Sequence, residues 1–594
     1  MVVVGFPDLE TKTYMKKLGE EMIEYCGGLP LAITVLGGLL ATKQTREEWE
    51  DVHKHVRSYL HEEQNLRVNK VLDLSYNDLP SHLKQCFLYL GHFPEDFEIP
   101  TKELIRMWMG EGFISQIQYR RGRVDTMDDV GDRYIRELVQ RCMVLVGKEG
   151  SLGRIRTCRM HDLMRDFCIS KAQDENFLHF TSTLSMKQGE TQIGKVRRLA
   201  IVSESGHHNL VLGIKFNEYP YLRSLLYLLP VGATSYFEES SFQKFKLVRV
   251  LHLENFTNRR GKLPKDLGCL IHLRYLSFKG CIIHVVPSSI CNLRCLETLD
   301  LRARFCPSYC VLRGRVCRYT LFLDSNSGLR VPNVFKYMKQ LKHLYLPSKY
   351  RVCGKLELAN LSYLHTLVNV QPKTIQIPRW FKPRRLRVLK VWNNKRAQDA
   401  MQELISRCPH MEKLNLRCHI EKLPESDRLS PNLAKLTLYE TYLKQDPMPT
   451  LEKWSSLKFL RLSSQSFVGK YMVCFEGGFP LLRCLVIQGL FDLVRWKVEK
   501  AAMPNLCRLE FRNLTHLEEW RMEEGAMPNL CHLEICSCKE LKTIPDGLRF
   551  VRSLKELEVR YMRKSFKDRL HEGGLDFDKI KHVPSRVFQD CGEE

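Results

Sequence analysis

Three stretches of the sequence share one spacing of apolar residues: LRYLSF at 273–278, LETLDL at 296–301 and LKHLYL at 341–346. In each stretch the first, fourth and sixth residues are apolar. Side chains alternate between the two faces of a β-strand, so the fourth and sixth residues point to the same side. The pattern predicts short strands that each bury one face in a shared core.

The same spacing recurs through the second part of the chain at intervals of 22 to 26 residues. One gap of 45 residues separates Leu296 from Leu341, and a degenerate unit with Leu321 and Leu323 fits its middle. A period in the low twenties indicates a leucine-rich repeat, whose units bury a continuous core only when stacked. We therefore predict about sixteen repeats, in which the further copies begin at Val196, Leu222, Leu247, Leu364, Leu386, Met411, Leu433, Leu457, Leu482, Leu506, Leu530 and Leu554.

Two further features recur in register with the leucines. Eight residues after the first leucine, a side chain that can satisfy buried backbone groups is expected, and that place is held by Asn255, Cys281, Asn394 and Cys538. An apolar residue followed by proline occurs in the returning segment at Leu263-Pro264, Val286-Pro287, Ile377-Pro378, Leu423-Pro424 and Ile544-Pro545. This step resembles the plant type of leucine-rich repeat.

Residues between the leucines should line the concave face of the repeats. Interleaved basic and aromatic side chains there predict a surface that binds a partner, although a solvated face without a ligand is the alternative. The predicted strip consists of Arg274, Tyr275, Lys279, Arg387, Lys390, Trp392, Lys413, Arg417, Lys458, Arg461, Arg508, Arg512, Lys555 and Arg560.

Charge is distributed unevenly in this protein of 594 residues and net charge +24. Residues 1–189 hold 25 Lys+Arg and 28 Asp+Glu, a net charge of −3, so the remainder carries +27. A basic surface attracts an acidic protein face, an anionic membrane or nucleic acid. The charge alone leaves these three classes of partner open.

The 22 cysteines are spread along the chain without any C-x-x-C pair, so we predict buried or reduced thiols and no metal site. There is no apolar run of about 18 residues and no signal-peptide pattern. We expect a cytoplasmic protein without a transmembrane segment, with peripheral membrane contact and a nuclear pool left open.

The first part of the chain predicts helices followed by a hairpin. Apolar residues at helical spacing favour a small helical bundle near the N-terminus, and further helices follow up to Cys142. Strands at 143–146 and 155–160 then flank a Glu149-Gly150 turn, which is the layout of a winged helix.

Several motifs here resemble those of plant coiled-coil-class NB-ARC leucine-rich-repeat disease resistance proteins. They are GLPL at 28–31, the segment from Leu74 to Phe87, the segment from Phe93 to Ile114, and Met160-His161-Asp162-Leu163 as the MHD motif. The resemblance covers nearly the whole chain. It implies a multidomain fold: a helical ARC subdomain at 1–62, a winged-helix ARC subdomain at 63–182, an α/β leucine-rich-repeat solenoid at 183–580, and a C-terminal tail at 581–594.

The resemblance also implies a regulatory role for individual residues. Pro30 would pack near the adenine of ADP, His161 would reach the ADP β-phosphate, and Met160 and Asp162 would complete the motif, Asp162 by holding the interdomain geometry. From the residues alone, a helix start at Pro30 and a strand-to-helix junction at His161-Asp162 remain the alternatives.

Catalysis is not expected of this chain. A Walker A loop is G-x-x-x-x-G-K-[ST], and no Gly-Lys pair in the sequence is followed by Ser or Thr. We also find no acidic pair after a hydrophobic strand to hold magnesium. We expect the coiled coil and the P-loop domain of the family to be missing, so that no nucleotide is bound tightly, whereas full-length relatives use ADP and ATP.

The leading functional hypothesis is therefore a fragment of a plant immune receptor in disease resistance and the hypersensitive response. Its repeats would recognise a pathogen effector or a guarded host protein, and its ARC region would act as an ADP-dependent latch. Contact with its own or related receptor domains, including an oligomer, is also expected. The alternatives are a modulator or decoy without nucleotide binding, a winged-helix nucleic-acid-binding protein, which the charge of residues 1–189 disfavours, and a ubiquitin-ligase substrate adaptor.

Overall fold

The computed structural model describes residues 9–57, 64–114, 119–120, 123–150, 153–182, 196–202, 219–228, 242–256, 262–304, 328–376, 378, 383–392 and 398–592. The predicted unit around Leu321 and Leu323, Ile377 and Asn394 lie outside these residues. The chain forms two compact units: the first spans Met1–Thr298 and Ala303–Phe322, and the second spans Leu299–Arg302 and Leu323–Glu594.

The helices lie mostly in the first part of the chain. They are α1 (Leu9–Tyr25), α2 (Pro30–Leu40), α3 (Arg46–Arg57), α4 (Gln64–Asn77), α5 (Ser81–Tyr89), α6 (Thr101–Glu111), α7 (Met127–Gln140), α8 (Asp162–Asp174), α9 (Gln398–Ser406), α10 (Met448–Leu451) and α11 (Lys564–Leu570).

Short strands follow one another through the rest of the chain. They are β1 (Ile99–Pro100), β2 (Tyr119–Arg120), β3 (Arg123–Val124), β4 (Leu145–Val146), β5 (Thr157–Arg159), β6 (His179–Ser182), β7 (Arg198–Val202), β8 (Ser224–Leu228), β9 (Val250–Glu254), β10 (Tyr275–Ser277), β11 (Thr298–Asp300), β12 (Leu329–Val331), β13 (His343–Tyr345), β14 (Tyr350–Val352), β15 (Leu356–Glu357), β16 (Thr366–Val370), β17 (Ile375–Gln376), β18 (Val388–Trp392), β19 (Lys413–Arg417), β20 (Lys435–Tyr439), β21 (Phe459–Ser463), β22 (Tyr471–Cys474), β23 (Cys484–Gln488), β24 (Arg495–Val498), β25 (Arg508–Arg512), β26 (Glu519–Met522), β27 (His532–Cys536), β28 (Glu556–Arg560) and β29 (Ser585–Gln589).

The predicted winged helix is confirmed. Strand β5 pairs with β1 and β4 in antiparallel fashion, and the β4–β5 hairpin follows α7. Helix α7 begins at a capping box, in which the Thr126 hydroxyl accepts from the Asp129 amide and the Asp129 carboxylate accepts from the Thr126 amide. Leu104, Ile105 and Trp108 of α6 are fully buried, so this helix lies at the centre of the domain.

Helices and first repeats share one hydrophobic core in the first unit. Strands β6 to β10 form a parallel sheet in chain order, as stacked repeats require. Residues from α1 to α8 belong to the same buried cluster as residues of β7 to β10, among them Val202, Leu226, Val250 and Tyr275. The first repeats therefore pack directly on the winged helix.

In the second unit, the strands that carry the repeating leucines form one parallel sheet. Its members, in order, are β13, β16, β18, β19, β20, β21, β23, β25, β27, β28 and β29. Register partners are equivalent leucines, as in Leu414 opposite Leu436 and Leu436 opposite Leu460. A second parallel sheet, β22–β24–β26, is formed by the returning segments of three repeats. The rings of Trp496 and Trp520 stack there, with their centroids 5.9 Å apart. The predicted class, a helical and winged-helix part followed by an α/β repeat solenoid, is confirmed.

Three details of the prediction need correction. The repeat assigned to Leu247 begins one residue later, because Val248 is buried and Leu247 is 39% exposed. The repeat sheet begins at β6, before residue 183, since β6 pairs with β7. It also extends into the predicted tail at 581–594, where β29 pairs with β28.

The cysteine in the turn position has the predicted role. The Cys281 thiol is buried and donates a hydrogen bond to the Leu253 carbonyl of the preceding repeat at 3.0 Å. Cys538, in the same position of a later repeat, is also buried. The Cys281 thiol thus satisfies a backbone carbonyl of the preceding repeat.

No helix among the described residues has both the length and the apolar character needed to cross a bilayer.

A glycine fixes the distance between α2 and the end of α7. A Cβ on Gly38 would lie 2.5 Å from the backbone carbonyl of Arg141, and backbone cannot move aside as a flexible side chain can. We expect Gly38→Ala to lower the free energy of unfolding by about 1–3 kcal/mol despite the better helix propensity of alanine, measured by urea titration. Gly592→Ala is the control, because nothing lies within 4 Å of its Cβ position. Equal stability of the two variants would contradict the tight α2–α7 packing.

Candidate functional site

The contact between α6 and the first repeats is built around one buried ion pair. An Arg198 Nη donates to the Glu111 carboxylate at 3.0 Å, and both side chains are at least nine-tenths buried. Glu111 is the last residue of α6, and Arg198 begins β7. The Arg198 guanidinium lies 4.0 Å from the ring centroid of Phe177 and 5.2 Å from that of Phe113, so aromatic faces cover the charge.

Further polar contacts continue this interface across successive repeats. The buried hydroxyls of Tyr89 and Ser224 lie 2.7 Å apart. Burial, together with the charge of Glu111, raises the pKa of Tyr89 well above its usual value, so the phenol stays protonated. Arg249 donates to the Glu111 backbone carbonyl at 3.3 Å. The winged helix is thus attached to β7, β8 and the residue before β9.

The other end of α6 is attached through a lysine. Lys279 Nζ lies 3.0 Å from the Glu103 carboxylate and 3.3 Å from that of Glu254. Burial alone would raise the pKa of Glu254, but the hydrogen bonds and charges of His252 and Lys279 outweigh it and lower the pKa to about 2. Glu254 therefore remains ionised at physiological pH.

This arrangement corrects the first part of the predicted partner strip. Tyr275 is 1% exposed, and a Cβ on Gly110 of α6 would lie 3.2 Å from its Cβ. Lys279 is paired with α6, and Arg274 lies beside the end of α6, with an Nη 3.9 Å from the Cβ position of Gly112. These three residues face the chain's own winged helix. The repeat spacing alone did not predict this contact.

The residues assigned to nucleotide contact are exposed on the first unit. Pro30 is the first residue of α2 and follows a turn in which Gly27 and Gly28 have positive φ. His161 is the exposed N-cap residue of α8, between buried Met160 and exposed Asp162. The backbone amides of a helix's first turn are a favourable place for a phosphate group. The structure shows where these residues lie and leaves their role as a prediction.

In the second unit, basic and aromatic side chains meet on one face of four neighbouring strands. The Arg417 guanidinium lies 3.7 Å from the ring centroid of Trp392 and 4.4 Å from that of Tyr439. It also donates to both carboxylate oxygens of Glu440, at 2.8 and 3.0 Å. Arg417 therefore holds the two flanking rings in fixed positions.

The same face carries several further cations. Lys435 lies directly opposite Lys413 in the sheet, with its Nζ 3.5 Å from the ring centroid of Phe459. Sequence reasoning missed Lys435, Tyr439 and Phe459, although they occupy the predicted face in the repeats that begin at Leu433 and Leu457. We define the basic–aromatic patch as Lys390, Trp392, Lys413, Arg417, Lys435, Tyr439, Phe459 and Arg461.

Two predicted residues lie at the margin of this patch. Arg387 precedes β18 and is 3.6 Å from the Glu412 carboxylate. Lys458 precedes β21 and is exposed. Both residues therefore lie one position before the strands that carry the patch.

Beyond the patch, glutamates alternate with the predicted arginines. Glu510, Glu534 and Glu558 are directly opposite one another in β25, β27 and β28, and we call them the glutamate ladder. Arg512 is 2.7 Å from Glu534 and 3.2 Å from Glu510. This corrects the prediction of a basic strip at Arg508 and Arg512, because the ladder neutralises it. The missed signal was a glutamate at one register position in three successive repeats.

One group on this face has donors that could hold a metal ion: His532 with Glu534 and Glu558 of the ladder. Both carboxylates are already paired with arginines, Glu534 with Arg512 at 2.7 Å and Glu558 with Arg560 at 2.9 Å. A cation would have to displace these arginines, so the donor set fits an ion-pair network better than a metal site.

Comparison with known families gives the same two parts. Residues 222–572 match the leucine-rich repeat region model, and residues 93–168 match the disease resistance protein winged helix domain. The chain belongs to the leucine-rich-repeat disease resistance proteins.

Two relatives from Arabidopsis thaliana illustrate the similarity. Disease resistance RPP8-like protein 3 and disease resistance protein RPP8 are each 35% identical to this chain, over 98% of its length and 62% of theirs. The chain thus spans less than two thirds of the length of these relatives. Among solved structures, a leucine-rich-repeat protein of Leptospira interrogans is 18% identical, covers 70% of this chain and 98% of its own, and has a TM-score of 0.42.

The buried pair predicts how the disease resistance winged helix is held. We expect Glu111→Ala or Arg198→Ala to lower the free energy of unfolding by about 3–5 kcal/mol, since each leaves a buried charge unpaired. Glu111→Leu combined with Arg198→Met should cost less than either single change, because no charge is then left in the core. Chemical denaturation of the unmodified chain and the three variants measures these differences.

The matched control is the exposed pair of Lys148 and Glu98, whose Nζ and carboxylate oxygen are 2.7 Å apart. Lys148→Ala should change the free energy of unfolding by less than about 1 kcal/mol. If Arg198→Ala were as mild as Lys148→Ala, the α6 contact would not depend on the buried pair.

Proposed function

We propose that this chain is the regulatory and recognition part of a plant disease resistance receptor. The observation that supports this most strongly is the shared core of the winged helix and the first repeats, fixed by the buried Glu111–Arg198 pair. Its relatives named as disease resistance proteins align with it across both parts. A conformational change in the first repeats would therefore act directly on the winged helix, which contains His161.

The regulatory part of the proposal concerns ADP. In the resting receptor, His161 binds the β-phosphate of ADP, Pro30 packs near the adenine, and Met160 and Asp162 hold the motif in place. Both contact residues are exposed on the first unit, and His161 stands at a helix N-terminus. In this proposal the remaining phosphate ligands are supplied by a Walker A loop in another segment of the receptor.

The recognition part of the proposal concerns the basic–aromatic patch. Its rings are fixed by Arg417, so a partner that packs on Trp392 and Tyr439 does not have to order them on binding. Lys413 and Lys435 stand side by side, so that this part of the patch places two positive charges where an acidic group of a partner can approach both. We therefore assign effector or guarded-protein recognition to this patch and to acidic surfaces. A modulator that competes for the same partner without nucleotide would use the same face.

The regulatory proposal is tested by adding a receptor segment that should supply the remaining protein groups for phosphate binding. Calorimetry of the purified chain should show no sub-micromolar affinity for ADP or ATP. Co-expression with the segment of disease resistance protein RPP8 that precedes its aligned region should give a complex that retains ADP. His161→Ala should weaken ADP retention by about tenfold, since one charge-assisted hydrogen bond contributes about 1.5–3 kcal/mol.

His55→Ala is the control, because His55 is an exposed histidine of α3 that the proposal does not place at the nucleotide. Tight ADP binding by the chain alone would overturn the latch assignment. So would equal ADP retention by complexes that contain the His161→Ala variant and the unmodified chain.

The recognition proposal is tested with an acidic probe. We expect poly-L-glutamate to bind the chain, and Lys413→Glu with Lys435→Glu to weaken that binding at least about tenfold and to reduce its dependence on salt. Fluorescence anisotropy at increasing ionic strength measures both effects. Lys453→Glu with Lys470→Glu makes the same charge change at exposed positions outside the patch. The same loss of binding in both variants would show a general effect of net charge and contradict the assignment.

A further inference from the structure

Two cysteines occupy the same position in consecutive repeats of the second unit. Cys507 immediately precedes β25 and Cys531 immediately precedes β27, and these strands are hydrogen-bonded neighbours. The Cys531 amide donates to the Cys507 carbonyl at 2.9 Å, which fixes the two residues side by side. Neighbouring strands are about 4.8 Å apart. That spacing lies within the range of about 4.4–6.8 Å between the Cα atoms of disulfide-bonded cysteines.

The two thiols differ in exposure. The Cys507 side chain is exposed, whereas Cys531 is half-buried and its thiol donates to the Asn529 carbonyl at 3.3 Å. Burial raises the pKa of Cys531, the neighbouring Cys507 thiol raises it further, and the charge of Lys555 acts in the opposite direction. Cys507 is therefore the thiol that a small oxidant in solution meets first.

Cationic residues flank the pair in the same column of repeats. The Cys507 amide donates to the Arg483 carbonyl at 2.9 Å, and the Lys555 amide donates to the Cys531 carbonyl at 2.9 Å. Arg483, Cys507, Cys531 and Lys555 thus succeed one another along the sheet. The charge of Lys555 acts on Cys531, and positive charge next to a thiol favours its thiolate, which is the reactive form.

We propose that Cys507 and Cys531 form an oxidation site that hydrogen peroxide converts into a disulfide between consecutive repeats. The Cys507 thiolate attacks one peroxide oxygen, so that an S–O bond forms, the O–O bond breaks and hydroxide leaves as water after protonation. The Cys531 sulfur then attacks the resulting sulfenic acid, an S–S bond forms, and a second water leaves. Two thiols are oxidised and one peroxide is reduced, with two waters as the other product.

This proposal does not depend on the proposed receptor function. The disulfide ties β25 to β27 just before Arg508 and His532, which face the same side as the glutamate ladder. Closing this bond removes conformational freedom from the unfolded chain, so the oxidised repeats should resist unfolding better than the reduced ones.

The experiment uses the full chain, reduced and then treated with a small excess of hydrogen peroxide. Non-reducing peptide mapping by mass spectrometry follows a linked peptide that contains Cys507 and Cys531. The exposed Cys353 and Cys269 serve as internal references for simple sulfur oxidation. We expect the linked peptide to form at least about tenfold faster than oxidised Cys353.

Two variants distinguish disulfide formation between Cys507 and Cys531 from nonspecific oxidation of exposed thiols. In Cys531→Ser, Cys507 should stop at the sulfenic acid and be trapped by dimedone. In Lys555→Gln, the linked peptide should form several-fold more slowly, whereas a pair joined only by proximity would not respond to this change. The proposal is overturned if Cys507 and Cys531 are oxidised separately without a linked peptide, or if Cys507 reacts no faster than Cys353 in the folded chain.

Discussion

The Glu111–Arg198 ion pair is the interaction on which the first unit depends. Removing two charges from water costs several kcal/mol, and the pair is retained only because geometry and neighbours compensate for that cost. Here the compensation comes from the 3.0 Å contact, the carbonyl of Phe177 and two aromatic rings. Once these groups are fixed, α6 and β7 are held in a single arrangement. The winged helix and the first repeats therefore form one folded unit rather than two domains joined by a linker.

The repeats of the two units make different contacts. In the first unit, Tyr275 and Lys279 contact the chain's own α6. In the second unit, the strands from β18 to β21 carry the basic–aromatic patch, and later strands carry the paired arginines and glutamates of the glutamate ladder. A net charge of +24 thus overstates how much basic surface a partner meets, because many cations are already paired within the chain.

Most of the fold could be predicted from the sequence, because a period-two strand pattern repeated every 22 to 26 residues has few other solutions. The prediction was off by one residue at Leu247, where Leu247 and Val248 are both apolar and only burial chooses between them. The site was harder to predict. Glu111 and Arg198 are 87 residues apart, and no local pattern indicates that they meet. The glutamate ladder could have been found by aligning the repeats on their leucines, since Glu510, Glu534 and Glu558 recur at one position.

The most direct measurement of the central claim is native-state hydrogen exchange of the purified chain. Amides of α6 and of strands β7 to β10 should exchange with one common opening free energy, because one core and one ion pair hold them together. In Arg198→Ala, these amides should lose protection together, while those of β23 to β28 keep theirs. If α6 opened independently of β7 to β10 in the unmodified chain, the winged helix and the first repeats would not be one unit, and the account would be contradicted.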